Sequence, residues 1–398
     1  MMHAGRLALL VAANTALAPL AIDAYLPALP QIANELGTSI HRAEISISIF
    51  LAGFAVGQLV CGPLSDRLGR KPVLLTGLLV FVTASVMLAF ASSLSELLVW
   101  RFIQALGGGA SVVNSSAIVR DCFKGREAAT VMSTMAMIMM VAPLAAPAVG
   151  SLLLLTSGWQ AIFVFLAVYA CIVLLVVATR LPETSSGRCK EITPVGVIRD
   201  YASVLAHRES LGYICAVSMS FSGLLAFVTA SPFVYMDLLG ISASSYPFVF
   251  GANVVFVATC SRINVRLLRH RSPRQNLLLG IGIQLVSSLG LVMVSLSGVV
   301  TIYSVVPLVM IFVGAIGLVT PNAIASVLEN FPHISATAAA LMGGVKFICA
   351  GFVGFLVAFF EVDSIWPMVL MMLGVSIVGN LSLRWLTSPE GQKQQLES

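Results

Sequence analysis

Charge is what this chain lacks. Only 10% of its 398 residues are Asp, Glu, Lys or Arg, against about 25% in an ordinary soluble domain. Histidine is scarce as well: there are five, and His3, His41, His207, His270 and His333 all fall in expected loops or tails. The seven cysteines contain no C-x-x-C, and their spacing suggests no pairing. Five of them lie in or at the ends of apolar runs, where cysteine behaves as a small apolar residue. There is no H-E-x-x-H and no histidine cluster inside an apolar run. No metal site, intramembrane metalloprotease or soluble catalytic domain is therefore expected.

What is present is apolar sequence, 58% of the chain, in runs of about 20 residues, the length a membrane-crossing helix needs. A β-barrel would instead show alternating strands of about ten residues. The expectation is an all-α polytopic membrane protein with twelve spans, roughly 7–29, 43–63, 72–92, 94–118, 131–155, 159–180, 210–235, 244–264, 275–297, 301–325, 336–360 and 364–386. Arg6, the first apolar stretch and Ala16-Leu17-Ala18 loosely fit a signal peptide. Cleavage there would discard the helix that carries Asp23, so the run is read as a retained span.

With both termini in the cytoplasm, 19 of the 22 Lys and Arg residues fall on the cytoplasmic side. Arg42 falls outside, and Arg101 and Lys346 fall inside spans. This matches the positive-inside rule. The net charge of +5 therefore reports topology and contact with anionic lipid, and no nucleic-acid partner is expected. The longest polar stretch, about 181–209, separates an N-terminal six-helix lobe (1–180) from a C-terminal one (210–386), with a tail at 387–398. One surface helix is expected in the linker, near Val195–Leu205. Two such halves around a central cytoplasmic loop are what an alternating-access transporter requires.

Three charges inside the spans carry the functional argument. An intramembrane ionisable residue is costly, by a few kcal/mol on insertion scales, and reads as functional by default. Asp23 lies about 8 residues before the end of the first span, and Arg101 about 8 residues into the fourth. At 1.5 Å per residue, both sit roughly 12 Å below the outer edge. If they approach, each lowers the cost of burying the other. The competing readings are an aspartate snorkelling to the interface and a packing arginine bonded to backbone carbonyls. Lys346 lies near the midplane of the eleventh span. It faces either an acceptor group of a ligand or a structural partner. Asn253 and the aromatics Phe221, Phe227 and Phe256 are candidates for lining the C-terminal half, although packing is the commoner role for any one aromatic. The Met-rich stretch at 132–140 reads as adaptable packing.

The loop Gly62-Pro63-Leu64-Ser65-Asp66-Arg67-Leu68-Gly69-Arg70-Lys71-Pro72 resembles the loop signature of the major facilitator superfamily. Leu98-Val99-Trp100-Arg101-Phe102-Ile103-Gln104-Ala105-Leu106-Gly107 resembles that family's fourth-span pattern, with Ala105 where glycine is common. Ala142-Pro143-Leu144-Ala145-Ala146-Pro147-Ala148-Val149-Gly150 is similar to the antiporter signature of exporters, with some glycines replaced. With Asp23-Ala24-Tyr25-Leu26-Pro27, Arg120-Asp121, Ser231-Pro232-Phe233, Phe331-Pro332-His333 and Trp366-Pro367, residues 7–386 resemble the bicyclomycin/chloramphenicol-resistance (Bcr/CflA) branch of the drug:proton antiporters.

The resemblance implies a two-lobed facilitator fold in the bacterial inner membrane that exports drugs against inward proton flow, with no cofactor beyond the proton. The charges, polar groups and aromatics within the spans make Asp23 and Arg101 the expected proton-coupling residues, and Asp23, Tyr25, Arg101, Asn253, Phe256 and Lys346 the expected substrate contacts. The resemblance also implies a cytoplasmic latch of Asp66, Arg67, Arg70 and Asp121, a small-molecule drug or metabolite as partner, lipid contact and a monomer. A metabolite transporter on the same fold is the nearest alternative. A membrane-embedded sensor or enzyme is disfavoured by the lack of any catalytic constellation.

Overall fold

Proline sets where the first span breaks. The structure, a computed structural model, describes residues 4–123, 142, 145–184, 194–331, 334–360 and 363–387. The Met-rich stretch, Pro143, Leu144, Pro332, His333 and the tail beyond 387 lie outside the described residues. α1 runs Ala4–Asp23, a 3₁₀ turn follows at Leu26–Ala28, and α2 runs Leu29–Glu35. In a continuous helix the carbonyl of Asp23 would accept from residue 27, but Pro27 has no N–H to give. The expected single helix through residue 29 is thus two helices with Asp23 at the joint. Helix resumes at Leu29 with Pro30 in its first turn, where proline is tolerated.

The first compact unit comprises Met1–Ile192 with Ser242–Gly251. Its remaining helices are α3 Ile40–Leu68, α4 Arg70–Ala89, α5 Leu94–Cys122, α6 Ala145–Ser157 and α7 Gln160–Arg180. α5 is the hub and packs along α3, α4 and α1. Close approach is built from small residues. A β-carbon on Gly53 or Gly57 of α3 would meet the carbonyl of Phe102 or Leu106 at 2.6 or 2.5 Å, the small-residue interface typical of membrane helices. A β-carbon on Gly150 of α6 would overlap the carbonyl of Ala24, next to Asp23. Between α3 and α4, Gly69 turns the chain at φ 98°, a left-handed conformation that glycine adopts without penalty.

The second unit comprises Thr193–Ile241 with Ala252–Ser398. It contains α8 Pro194–Ala206, α9 Arg208–Pro232, the greater part of α10 Tyr246–Leu267 (from Ala252 on), α11 Pro273–Ser297, α12 Ile302–Gly314, α13 Ile316–Asn330, α14 Ser335–Phe359 and α15 Trp366–Leu386. α9 packs on α14, α15 and α13, and α11 on α12, α13 and α15. α8 is the linker helix expected near Val195–Leu205, and it is pinned by Val204 in the apolar core of this unit. α9 ends as the first span does. Pro232 cannot donate to Val228, and the Ser231 hydroxyl takes that carbonyl instead at 2.9 Å. A π-helical turn, Phe233–Leu238, follows.

Ten helical segments among the described residues are long and apolar enough to cross a membrane. α5, with 29 residues, coincides with the expected fourth span at 94–118. α6 is the described part of the expected fifth span. The expected spans therefore all coincide with described helix, in whole or in part. Large apolar side chains such as Val286, Phe248 and Phe352 lie exposed, as they do on a surface that meets lipid.

The contact between Gly150 and Ala24 makes a prediction. Gly150→Val overpacks a backbone-to-backbone contact and is expected to destabilise by about 1–3 kcal/mol, lowering the melting midpoint of the purified protein. Gly282→Val, where a β-carbon meets nothing within 4 Å, should leave it unchanged. Equal midpoints for the two variants would refute the contact.

Candidate functional site

Arg101 is fully enclosed. Its guanidinium carbon lies 4.4 Å from the ring centroid of Phe50, 4.6 Å from Tyr25 and 5.9 Å from Phe163. These rings come from α3, from the break in the first span and from α7, so three elements close on one cation. Cation–π attraction of this kind strengthens when the pair is desolvated, to about 2 kcal/mol or more. Nη1 donates to the carbonyl of Ala21 at 3.0 Å and to Gln104 Oε1 at 2.9 Å. Gln104 passes a hydrogen bond to Ser85 at 2.8 Å, and Ser85 donates to the Phe81 carbonyl at 2.7 Å. Nε and Nη2 have no hydrogen-bond partner among the described residues. A cation on the carbonyl of Ala21 also suits the negative end of α1.

Asp23 is two residues from that carbonyl and is 7% exposed. Among the described residues it makes no ion pair with Arg101, and its carboxylate accepts no hydrogen bond. The matching depth expected from sequence stands, since Arg101 contacts residues on both sides of Asp23. No ion pair joins them among the described residues: Arg101 bonds Ala21 and Gln104 through Nη1 alone and packs against the rings. Tyr25 is buried, shares a hydrogen bond of 3.1 Å with Ser46 and stacks obliquely on Phe163 at 5.5 Å. Phe163 meets Trp159 edge-on at 5.9 Å. Trp159 donates to Glu35 at 2.7 Å, which ties α2 to α7 just beyond the break.

The second unit carries the other candidates. Lys346 of α14 sits 4.4 Å from the ring of Phe221 and 4.8 Å from Phe347, and the two rings meet edge-on at 5.4 Å. Lys346 is half-buried. Asn253 is buried beside Tyr235, on the π-helical turn that ends the seventh span. Phe256 rests its ring on the backbone of Gly314, where a β-carbon would overlap it, so it serves helix packing between α10 and the end of α12.

At the basic end of the first unit, Arg70 joins three elements. Its Nε meets Asp121 Oδ2 at 3.1 Å and its Nη1 donates to Ser65 at 2.9 Å. Ser65 in turn hydrogen-bonds Asn114. Two of the four expected latch residues, Arg70 and Asp121, are thus brought together. The side chains of Asp66, Arg67 and Arg120 lie outside the described residues. Sequence reasoning missed Glu183, just beyond α7. Its carboxylate accepts the backbone N–H groups of Arg70 at 2.9 Å and Lys71 at 3.2 Å, capping the free donors at the start of α4. The signal was a lone acid directly after an apolar run. An Asn triad was missed as well: Asn264 Oδ1 accepts from Asn276 at 2.9 Å and from Asn322 at 2.8 Å. Its members are neutral, and attention had gone to charges.

Membrane-crossing helices in two units, ionisable groups enclosed within spans and a charged cluster at the basic end define a secondary membrane transporter. The chain belongs to the Major Facilitator Superfamily, whose family profile matches residues 11–355. It is 32% identical to the bicyclomycin resistance protein homolog of Haemophilus influenzae, over 94% of each chain. It is 29% identical to a chloramphenicol resistance protein of Pseudomonas aeruginosa, over 96% of this chain and 90% of that one. These similarities set it in the bicyclomycin/chloramphenicol-resistance branch. The solved structure of a D-xylose-proton symporter aligns with TM-score 0.72 at 15% identity, covering 96% of this chain and 97% of that one, which shows the shared fold.

The cap at Glu183 is open to test. Glu183→Ala should speed amide hydrogen exchange at Arg70, Lys71 and Val73 and destabilise by about 1 kcal/mol, the usual worth of a helix cap. Glu183→Gln, which still offers an acceptor, should lose less. Unchanged exchange in the alanine variant would show that the cap does not hold α4.

Proposed function

We propose that this protein exports small drug-like molecules across the bacterial inner membrane in exchange for protons, with Asp23 as the proton-coupling carboxylate. The observation that carries the reading is the position of Asp23: an acid enclosed at a proline-made break in a membrane-crossing helix. The resistance proteins it resembles supply the substrate class. A proton on Asp23 removes the cost of an enclosed charge, and hydration of the joint lets the proton leave. Arg101 acts on this step through the end of α1, by holding the Ala21 carbonyl and the Tyr25 ring on either side of the acid.

Tyr25, Asn253 and Lys346 are the residues we assign to substrate, and Phe256, set against Gly314, is assigned to helix packing. Asp66, Arg67, Arg70 and Asp121 form the cytoplasmic latch. The working unit is a monomer in contact with lipid, and the proton is the coupling ion. A charge crossing 100 mV gains about 2.3 kcal/mol, and one pH unit adds about 1.4 kcal/mol. One proton per cycle then sustains a gradient of a neutral substrate on the order of several hundred-fold.

The test uses inverted vesicles with an acidified interior and a pH-sensitive dye. Adding chloramphenicol- or bicyclomycin-like compounds to wild type should release protons, and Asp23→Asn should abolish that release at equal protein level. Uphill export by Asp23→Asn at the wild-type rate would end the proposal. For the latch, Arg70→Gln should lower turnover severalfold more than it lowers folded yield. A parallel fall in both would assign Arg70 to folding alone.

A further inference from the structure

Two cations lie inside the spans, and their surroundings differ. Arg101 is sealed, with its charge taken up by three rings and two oxygen acceptors. Lys346 is partly open, and among the described residues its ammonium has no hydrogen-bond or ion-pair partner. It stands 11 residues into α14, a helix of 25 residues, which is close to mid-membrane. An ammonium with three N–H donors and no acceptor is not left facing lipid at that depth. Its open side must meet water or a ligand.

The rest of its surroundings are aromatic. Phe221 and Phe347 lie within 4.8 Å of Nζ and stand nearly perpendicular to each other, at 84°. Their faces stabilise the charge but accept no conventional N–H···O bond, so the ammonium stays under-coordinated. The ring pair is also an apolar surface on which a planar ligand can stack. The site therefore offers a hydrogen-bond donor with positive charge beside an aromatic corner.

We propose that Lys346, Phe221 and Phe347 form a recognition site for a small aromatic ligand that bears an electronegative acceptor (a carboxylate, nitro group or amide carbonyl), so that the protein selects neutral and anionic substrates over lipophilic cations. This rests on the transporter reading above and narrows its substrate class. A cation brought to this corner meets a fixed like charge, which disfavours it. An acceptor brought there completes the coordination of the ammonium with a charge-assisted bond, which is stronger than a neutral one.

The experiment is equilibrium binding to the purified full-length protein, with three probes of simple chemistry: chloramphenicol as the neutral acceptor-bearing aromatic, naphthoate as the anion and tetraphenylphosphonium as the cation. Wild type should bind the first two at least tenfold more tightly than the third. Lys346→Met should weaken the first two at least tenfold and leave the phosphonium unchanged or tighter, and Lys346→Arg should retain most of the affinity. Thermal melting verifies folding. Where Lys346→Met does not fold, Lys346→Gln, which keeps a neutral donor, should still lose naphthoate more than chloramphenicol. Unchanged affinity for both acceptor probes in the folded variant overturns the proposal, as does a wild type that prefers the phosphonium. Binding that depends on Lys346 without any proton-coupled export would sustain this site while removing the exporter reading. Export that ignores Lys346 would do the reverse.

Discussion

A guanidinium enclosed in a helical bundle must have its charge and donors accommodated without bulk water, and the first unit is arranged around that demand at Arg101. Three rings, one backbone carbonyl and one glutamine surround it. Each of these comes from a feature with other work to do. The Ala21 carbonyl is near the end of α1, which stops at Asp23 because Pro27 cannot continue it. The Tyr25 ring belongs to the joint that this stop creates. Phe50 lies on the helix that contacts α5 through Gly53 and Gly57, and Phe163 is held by Trp159, which is itself tied to Glu35. Removing one ring from around a buried cation leaves it less compensated, and an uncompensated buried charge is among the most destabilising defects a protein can carry.

The same arrangement isolates Asp23. An arginine free to swing would neutralise a neighbouring carboxylate and hold it as an ion pair. Here the guanidinium holds the helix end and Gln104 through Nη1 and packs against the rings, and the acid two residues along is unpaired among the described residues. Its protonation is then governed by access to water more than by a permanent partner. That is the condition a coupling acid needs, because hydration is what alternates when a transporter opens to one side and then the other. The contact between Gly150 and Ala24 matters for this reason: it sets how closely α6 covers the joint that carries the acid.

Much of this was legible in the sequence, and the remainder was hidden for identifiable reasons. Span positions followed from apolar run length, which depends on membrane thickness and hardly at all on tertiary detail. Asp23, Arg101 and Lys346 stood out because charge is costly there. The break at Asp23 was also encoded, in Pro27 and Pro30, but a hydropathy window averages over proline. The missing Asp23–Arg101 pair was beyond reach, because matching depth says nothing about rotation around a helix axis. Phe256 illustrates the same limit: an aromatic in an apolar run has one composition whether it faces a ligand or the bare backbone of Gly314. Glu183 and the Asn triad went unseen because their partners are backbone amides and neutral side chains, which carry no charge signal along the chain.

The two units resolve one structural problem with different chemistry. In each, the second, third and fourth spans converge through polar groups: Ser65, Arg70 and Asn114 in the first, Asn264, Asn276 and Asn322 in the second. The second set is buried and neutral. Breaking it would strand amide groups away from water, at roughly 1–3 kcal/mol for each, so it holds its helices together throughout. The first set adds Arg70 to Asp121, an ion pair whose side chains are both partly exposed, and a pair reached by water is worth only about 0–1 kcal/mol. Its partners are readily re-solvated when separated, so it can be made and broken at small cost. A contact that must open in every cycle needs that property, and a contact that must never open needs the other. On the latch proposed above, the Arg70 end of α4 suits a connection that opens, and the Asn264 end of α10 suits one that stays closed.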